Sequence, residues 1–162
     1  MGRPRSISDD VILDAALSLL MAKGEGAVSF GAVSKACGLA PPTLVQRYGD
    51  RSGMLRAALR RGWARQGEAA DAAAAAEETA QGFLKLLGAE DLLPLVVASR
   101  SDPEAAALAA AWRADVERVL MAKQGCRADA AAILFAAWQG RLLWEAAGGA
   151  GFKLKDAARR LG

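Results

Sequence analysis

Apolar residues recur at intervals of three and four along most of the chain, and this spacing places them on one face of an α-helix. The first stripe consists of Ile12, Leu13, Ala16, Leu17 and Leu20. It predicts a helix from about Ile7 to Lys23, where Ser6 and Asp9 have the spacing of a capping box and Gly24 is a left-handed stop. No stretch of useful length alternates apolar and polar residues, so the pattern predicts an all-α protein.

The second predicted helix is short and has well-marked boundaries. Ser29 is a natural N-cap for a helix from about Phe30 to Cys37, because its hydroxyl can accept a hydrogen bond from a backbone N–H of the first turn. Phe30, Val33 and Cys37 fall on one side of this helix. Gly38 ends it.

The third predicted helix begins at Pro41 or Pro42 after a three-residue turn, since proline is tolerated where the backbone N–H has no helical partner. It ends before Gly49, and Asp50 caps a fourth helix that links onward over about 51–67. Two short helices joined by a tight glycine-containing turn, with a longer helix on each side, form a helix-turn-helix. In that motif the prolines would fix the depth at which the third helix enters the major groove of DNA.

The second half of the chain also predicts helices, with weaker boundaries. Residues 68–80 are rich in alanine and could continue the fourth helix or act as a joint, and a helix over 81–88 ends at a glycine. Pro94 lies inside the apolar segment 90–99 and predicts a kinked or broken short helix there. Asp102 is the expected N-cap of a stronger helix, with a proline at its first position.

The most informative helix of this half is predicted from about Arg127 to Ala147, because it is apolar nearly all round. A protein in water must cover such a helix on both sides. Leu134, Trp138 and Leu142 can face the protein's own core, and a second copy of the chain is the simplest cover for the other side. The residues expected at this dimer interface are Phe135, Gln139, Gly140, Leu143 and Trp144. The alternative is a central helix in a monomer.

Basic charge is concentrated in the first third of the chain. The net charge is +3, but residues 1–65 hold ten Lys and Arg against five Asp and Glu, whereas residues 66–162 hold eleven against thirteen. A polyanionic partner would therefore meet the first third. The alternative is a generic helical bundle with an ordinary solvated surface. Capping, turn and charge agree with one another, and together they favour DNA binding.

Residues 3–60 resemble the N-terminal DNA-binding domain of tetracycline-repressor (TetR) family regulators. The likeness is carried by the "GRPR" lead-in, Gly24, Ser29, the Gly38-Leu39 turn, Thr43-Leu44, Tyr48 and Arg51 with the following Met54-Leu55. The resemblance implies an all-helical homodimer that binds a palindromic double-stranded DNA operator and is usually released by a small ligand. On this basis we expect a three-helix DNA-binding domain at 1–50 and a small helical ligand-binding and dimerisation domain at 51–162.

The resemblance also implies which residues contact DNA. Ser29 would bond a phosphate at the start of the second helix, and Arg51 would lie on a phosphate at the start of the fourth. Arg3 and Arg5 would form a flexible arm that reaches phosphate or the minor groove. The remaining residues of this predicted surface are Pro41, Pro42, Thr43 and Gln46, facing the groove, with Arg47 on backbone or base and Tyr48 beside it.

Few of these side chains can identify a base directly. Gln46 could pair with adenine, Arg47 with guanine, and Thr43 could touch a thymine methyl group. Val45 stands where the family often has a phosphate-bonding tyrosine, and Tyr48 stands where it usually has phenylalanine, which favours packing over a direct contact. The operator is therefore expected to be recognised partly by its shape.

A ligand pocket is less clearly marked. Trp63, Phe83, Trp112 and Trp138 could line an apolar cavity, although aromatic residues at helical spacing are also ordinary core. With charges mostly at helix ends and outer faces, such a pocket would take a neutral or weakly polar, hydrophobic molecule. Ligand binding would favour a dimer whose DNA-reading helices no longer match the operator half-sites.

Several classes of protein are disfavoured by what the sequence lacks. Histidine is absent, which excludes Ser-His-Asp and Cys-His catalysis and the common zinc sites, and no phosphate-binding glycine motif occurs. We therefore expect neither an enzyme nor a cofactor or metal. Cys37 and Cys126 form no CxxC pair and should stay reduced. No apolar run reaches the length of about 18 residues that a membrane span needs, and the N-terminal segment lacks a secretory pattern, so we expect a cytoplasmic protein.

Two other functions remain open at this level. The protein could be a DNA-binding regulator without a small-molecule ligand, constitutive or controlled by a partner, and the short second half favours this alternative. It could also be a helical interaction module with a vestigial helix-turn-helix, which Val45 and Pro42 would suit. Steep salt dependence of duplex binding separates the regulators from the interaction module.

Overall fold

The structure, a computed structural model, describes residues 7–88, 90–145, 147–148 and 153–161, and this part of the chain is helical without strands. Its helices are α1 (Asp9–Lys23), α2 (Phe30–Cys37), α3 (Pro41–Tyr48), α4 (Arg51–Ala76), α5 (Ala80–Leu87), α6 (Leu93–Ser99), α7 (Pro103–Gln124), α8 (Ala128–Glu145) and α9 (Leu154–Leu161). A 3₁₀ turn, Glu25–Ala27, follows α1. None of the described helices combines the length and the apolar character that crossing a membrane requires.

These helices form two compact units, and neither unit is a single stretch of sequence. The first unit comprises Met1–Ala64 and Pro94–Leu108, and the second comprises Arg65–Leu93 and Ala109–Gly162. Helices α4 and α7 therefore contribute residues to both units. We call them the first unit and the second unit below.

The first unit is built around the apolar face of α1. Its fully buried members include Ile12, Ala16 and Leu20 of the predicted stripe, whereas Leu13 is half-buried. Other large side chains buried in this unit include Val28, Val33, Leu44, Met54, Leu59 and Leu95. The spacing of the stripe thus predicted the buried face of α1 correctly. With 3.6 residues per turn, apolar residues three and four positions apart lie on the same face of the helix, and this face packs into the core.

Three side chains from the first half of α4 bind residues that come much later in the chain. The Arg56 Nε donates to Asp102 Oδ2 at 3.0 Å, and Arg60 Nη1 pairs with Glu104 Oε1 at 3.0 Å. The Trp63 indole Nε1 donates to Ser99 Oγ at 2.9 Å. These contacts fix α6 and the start of α7 as parts of the first unit.

The predicted boundaries of the short helices agree with the structure. Ser29 caps α2, with its Oγ accepting from the Ala32 N–H at 3.2 Å. Gly38 follows α2 in the left-handed conformation, with φ of 78° and ψ of 11°, and glycine adopts this backbone without strain. Helix α3 begins at Pro41.

Other boundaries differ from those predicted. Helix α1 begins at Asp9 after Ser8, so the predicted start at Ile7 was too early, and Ser6 lies outside the described residues. Gly24 has a positive φ of 78° but an extended ψ of 175°, so it is not a left-handed α-type stop. Helix α4 continues to Ala76, well beyond the expected 67, because alanine has the highest helix propensity of any residue. The Lys123 ammonium then binds the Ala74 and Glu77 carbonyl oxygens at its end.

The prediction for Pro94 was wrong. Pro94 neither kinks nor breaks a helix, because it lies in the first turn of α6, where a missing N–H removes no helical hydrogen bond. Asp102 caps α7 as expected, and its Oδ1 accepts from the Ala105 N–H at 2.8 Å.

The core of the second unit is aromatic. Phe135 packs edge-on against Trp112, with ring centroids 6.0 Å apart, and against Trp138 at 5.6 Å. The Trp112 indole Nε1 donates to the Gln66 carbonyl oxygen at 3.1 Å. Phe83, Leu84, Val116, Leu120 and Leu134 are also buried in this unit. Edge-on pairs and a satisfied indole N–H are the arrangements that stabilise buried aromatic rings.

Candidate nucleic-acid interface

Helix α3 presents one buried side chain and a largely exposed outer face. Leu44 is fully buried and anchors the helix, while Pro41, Pro42, Val45 and Gln46 are exposed. Thr43 is half-buried. A two-turn helix anchored at one position and exposed over the rest can enter a DNA groove without losing its own packing.

The first turn of α3 offers few backbone donors. Pro41 and Pro42 have no N–H, and the Thr43 N–H donates to the Ala40 carbonyl oxygen at 3.0 Å. Backbone capture of a phosphate, which helix N-termini commonly provide, is therefore weak at α3. Helix α2 differs because its cap uses only the Ser29 oxygen as an acceptor, so the Ser29 hydroxyl proton can still be donated.

The last turn of α3 is held against the start of α1. The Arg47 Nη1 donates to the Ile7 carbonyl oxygen at 2.9 Å and to Asp9 Oδ1 at 3.1 Å. The adjacent Tyr48 hydroxyl donates to the same Asp9 Oδ1 at 2.9 Å. The two residues predicted at the far end of the DNA surface therefore contact α1 within the protein.

Burial raises the pKa of the Tyr48 hydroxyl well above its ordinary value of 10.0, and the hydrogen bond to Asp9 raises it further. The Asp9 charge acts in the same direction, the Arg47 charge opposes it, and Cys37 adds a smaller increase. Tyr48 accordingly stays protonated and remains a hydrogen-bond donor throughout the neutral range.

Arg51 also makes internal contacts. Its Nε donates to the Val28 carbonyl oxygen at 2.7 Å, and its Nη2 donates to the Glu25 carbonyl oxygen at 2.6 Å. Its Nη1 lies 3.6 Å from Glu25 Oε1. The guanidinium thus ties the start of α4 to the 3₁₀ turn, which a sequence resemblance alone did not indicate.

A third arginine fastens α1 to α4. The Arg61 Nε and Nη2 bind the two oxygens of Asp14 at 2.7 and 2.8 Å, and Nη1 binds Asp10 Oδ1 at 2.7 Å. Such a bidentate pair fixes orientation as well as distance. The three carboxylates of α1 are therefore divided between α3 and α4.

The remaining predicted DNA residues have simple placements. Arg3 and Arg5 lie outside the described residues.

Two residues near this surface were missed by the sequence analysis. Lys35 on α2 was not predicted, yet it is exposed on this unit and forms no ion pair within the described part of the chain. Asp9 was missed as well. Its sequence signals were an acidic residue in the first turn of a helix and the spacing of a capping box with Ser6, and neither indicates a contact with α3.

The predicted pocket aromatics are all buried in the structure. Trp63, Phe83, Trp112 and Trp138 are between 0% and 6% exposed, and Trp63 belongs to the first unit whereas the other three belong to the second. They are core residues, as the alternative interpretation of their spacing allowed.

Cavities occur elsewhere in the second unit. One of about 430 Å³ is lined by Arg65, Gln66, Ala69, Ala72, Ala73, Ala76, Leu86, Leu87 and Glu90. Another of about 370 Å³ is lined by Gln81, Leu84, Lys85, Gly88, Trp138, Arg141, Leu142, Glu145 and Leu154. Only Trp138 is shared with the predicted set. No group of three or more acidic or cysteine side chains among the described residues could hold a metal ion.

The predicted dimer residues of α8 divide into exposed and buried ones. Leu143 and Trp144 are 54% and 61% exposed, Gln139 and Gly140 are partly exposed, and Phe135 is 8% exposed within the aromatic core. Ile133 is 54% exposed and was missed. Its signal was available, because Ile133, Gly140 and Trp144 follow helical spacing along one side of α8.

The comparisons with known proteins agree with this architecture. Residues 12–58 match the family model for bacterial regulatory proteins of the tetR family. The solved structure of a TetR family member from Streptomyces coelicolor A3 has a TM-score of 0.66 at 22% identity, over 94% of each chain. A cysteine mutant of the TetR family transcriptional regulator CifR, in complex with 26-bp double-strand operator DNA, gives 0.56 at 19% identity over 99% of this chain and 100% of its own. No curated protein sequence matches significantly. The predicted all-α fold is thus confirmed, as is the predicted family resemblance.

Proposed function

The chain carries the DNA-binding domain of the tetR family at residues 12–58 on a TetR-like fold, and from this premise we propose that it is a dimeric, sequence-specific, DNA-binding transcriptional regulator. The observation that supports this most directly is α3, which buries Leu44 and exposes the side chains on its outer face. The relative CifR was solved with operator DNA, and we extend that mode of binding to this protein. A repressor that blocks transcription by occupying a palindromic operator is the specific form proposed.

Within this proposal α3 is the recognition helix, and Gln46 makes its principal base contact. Gln46 is exposed and can form a bidentate hydrogen bond with adenine in the major groove. Thr43 would contact a thymine methyl group, and Ser29 would donate to a phosphate. Lys35, and Arg3 and Arg5 at the N-terminus, would neutralise further phosphates.

The test is binding to a duplex that spans the region upstream of the protein's own gene, measured over a salt series. Gln46→Ala should weaken binding to this duplex by about 5- to 150-fold, the range for a lost bidentate base contact. Binding to a random duplex should stay the same, because phosphate contacts are untouched.

Gln81→Ala on α5 is the matched control, since Gln81 is also an exposed helical glutamine. It should bind like the wild type. Equal affinity of the wild type for the upstream and random duplexes, or an unaltered affinity of Gln46→Ala, would contradict the proposal.

Dimerisation is proposed to occur through the exposed apolar side of α8. Ile133, Leu143 and Trp144 are each more than half exposed, and a Cβ built on Gly140 meets no atom within 4 Å. A helix from a second copy could therefore approach Gly140 closely. A two-fold dimer would place two recognition helices about 34–36 Å apart, one turn of DNA.

Release by a small, mainly hydrophobic ligand is proposed to use the cavities of the second unit. The cavity along α4 has an apolar wall of alanine and leucine side chains and a polar end at Arg65, Gln66 and Glu90. A molecule with an apolar body and one hydrogen-bonding group suits this lining. Compounds of this kind should raise the unfolding temperature, and Ala72→Trp, which fills the cavity, should abolish the increase.

Regulation without a ligand is the second candidate, and the burial of all four predicted pocket aromatics favours it. Ala75→Trp is the control for the filled cavity, because Ala75 is exposed on the same helix and does not line it. If no compound in a hydrophobic series stabilises the wild type more than Ala72→Trp, the ligand-free regulator is the better description.

A further inference from the structure

Asp9 is an acidic residue next to a helix that we propose to bind a polyanion. On charge alone it should oppose DNA binding, because its side chain is 65% exposed and bears a negative charge beside α3. Yet this single carboxylate oxygen accepts hydrogen bonds from both Arg47 and Tyr48, the last two residues of α3. A side chain that joins two consecutive residues of one helix to the start of another restricts how the two helices can rotate.

The contact has a second anchor in the backbone. The Arg47 Nη1 that binds Asp9 also donates to the Ile7 carbonyl oxygen, which precedes the first turn of α1. The Arg47 side chain is 29% exposed, so the pair is partly shielded from water on the arginine side. These two bonds direct the Arg47 guanidinium toward the start of α1. A base contact would require the same guanidinium to point into the major groove of DNA.

We propose that Asp9 is a positioning residue for DNA binding, which orients the recognition helix by holding Arg47 and Tyr48, and that Arg47 acts through this contact instead of recognising a base. The inference rests on the proposed function and deepens it. Operator selectivity would then depend on Asp9, an acidic residue outside the helix-turn-helix. The role assigned to Arg47 also replaces the guanine contact expected from the sequence.

Asp10 provides a matched control for Asp9. Both lie in the first turn of α1, so replacing either removes one negative charge and one favourable interaction with the helix dipole. Asp10 binds Arg61 on α4 and forms no hydrogen bond or ion pair with α3 in the described part of the chain, and the two bonds of Arg61 to Asp14 do not involve Asp10. A difference between the two variants therefore reports the contact with α3.

The first measurement compares Asp9→Ala and Asp10→Ala for binding to the upstream and random duplexes. Asp9→Ala should lower affinity for the upstream duplex about fivefold, the order of magnitude for lost charge-assisted hydrogen bonds near a surface, while random-duplex affinity stays level or rises. Asp10→Ala should leave the ratio of the two affinities unchanged. Equal ratios for the two variants would overturn the inference.

The second measurement asks how Arg47 acts. Arg47→Met should weaken upstream-duplex binding without altering the slope of log affinity against log salt, because no phosphate contact is lost. In the Asp9→Ala background the same substitution should have a smaller effect than in the wild type, since only the bond from Arg47 to the Ile7 carbonyl oxygen is left to lose. A slope reduced by about one, or relaxed selectivity at a single base pair, would show that Arg47 contacts DNA directly.

Tyr48 supplies a readout that does not involve DNA, since it is the single tyrosine of the chain. Its ionisation can be followed by the absorbance of the tyrosinate ion near 295 nm, at alkaline pH values at which the protein is still folded. Asp9 raises the pKa of Tyr48 through its hydrogen bond and its charge, so Asp9→Ala should ionise at lower pH than the wild type. Arg47 and Cys37, the other charged or titratable groups that act on Tyr48, are unaltered in both proteins.

The outcomes separate the inference from the function on which it rests. If the wild type shows no preference for the upstream duplex, the proposed function fails, and the role of Asp9 in DNA binding fails with it. If the wild type shows the preference and Asp9→Ala retains it, the function stands and the inference is wrong. A tyrosine titration that is identical in Asp9→Ala and the wild type, with both proteins still helical by circular dichroism at the pH of ionisation, would also overturn it, because the contact would then be absent in solution.

Discussion

At the scale of single residues, the arginines of the first unit act mainly inside the protein. Arg47, Arg51 and Arg61 each bind oxygen atoms of distant segments. The sequence indicated their charge and their helical positions, but the acceptors of Arg51 are backbone carbonyl oxygens more than twenty residues earlier. Carbonyl groups occur at every residue and carry no sequence signal, so these partners could not have been predicted.

Arg51→Met should therefore destabilise the fold. It removes two hydrogen bonds from a charged donor and leaves the Val28 and Glu25 carbonyl oxygens without that partner, at a cost of about 1–3 kcal/mol in the free energy of unfolding. Urea denaturation at neutral pH measures this loss.

Arg56→Met is the comparison, because the ion pair of Arg56 with Asp102 is nearer the surface and such pairs contribute about 0–1 kcal/mol. If both variants unfold at the same urea concentration, the contacts of Arg51 add no more than a surface ion pair does.

At the scale of helices, the sequence was most informative where chemistry is local. Ser29 determines where α2 begins, Gly38 where it ends and the paired prolines where α3 begins, and each acts on its own backbone within a few residues. The sequence was least informative at Pro94, where the same residue type can break a helix or begin one. Which of these occurs depends on whether the preceding residues are helical, and here α6 begins only at Leu93.

Replacing two glycines by alanine should have effects of opposite sign. Gly38 has a φ of 78°, and alanine there should cost about 1 kcal/mol of stability. Gly31 lies within α2, and a Cβ at Gly31 meets no atom within 4 Å, so alanine should add about 0.5–1 kcal/mol through its higher helix propensity. Thermal unfolding of the two variants tests both signs in one experiment. Destabilisation by Gly31→Ala would mean that the exposed face of α2 is packed in solution.

The N-cap of α7 should make stability depend on pH in the acidic range. The Ala105 N–H and the Arg56 guanidinium lower the pKa of Asp102 below its ordinary value of 3.8. The charged carboxylate therefore contributes stability that is fully present above about pH 3.8 and is lost as the pH falls through the lower folded pKa. The difference in unfolding temperature between the wild type and Asp102→Ala should be constant at neutral pH and shrink below pH 4. A constant difference down to pH 2 would contradict this assignment.

At the scale of the whole molecule, the sequence predicted the all-α architecture and an exposed apolar side of α8, but it could not assign every residue of α8 to a side. Phe135 was expected at a dimer interface and instead packs between Trp112 and Trp138. A helix that is apolar nearly all round has no polar face from which to establish its rotation, so the partners of each residue depend on tertiary packing. Ile133 was missed although it follows helical spacing with Gly140 and Trp144 along one side of α8.

The proposed dimer predicts a change of mass for a single substitution. Trp144→Glu places a charge on the exposed apolar side of α8 and should yield a monomer at concentrations where the wild type is a dimer. Light scattering coupled to size-exclusion chromatography measures the mass.

Val97→Glu tests whether any exposed apolar residue would have this effect, because Val97 on α6 is 53% exposed. The Val97→Glu variant should have the same mass in solution as the wild type. A wild type that is monomeric at all concentrations, or a dimer that withstands Trp144→Glu, would exclude this surface as the interface.

The bonds of α4 to Ser99, Asp102 and Glu104 limit how segments of this protein can be exchanged with those of another. A recombination event or an engineered chimaera that transferred only Met1–Ala64 would leave Arg56, Arg60 and Trp63 without these partners. A transplantable module must therefore include Pro94–Leu108 as well, which requires three junctions, after Ala64, before Pro94 and after Leu108. If α3 reads DNA as proposed, specificity should therefore change by point substitution on α3 more readily than by exchange of whole gene segments.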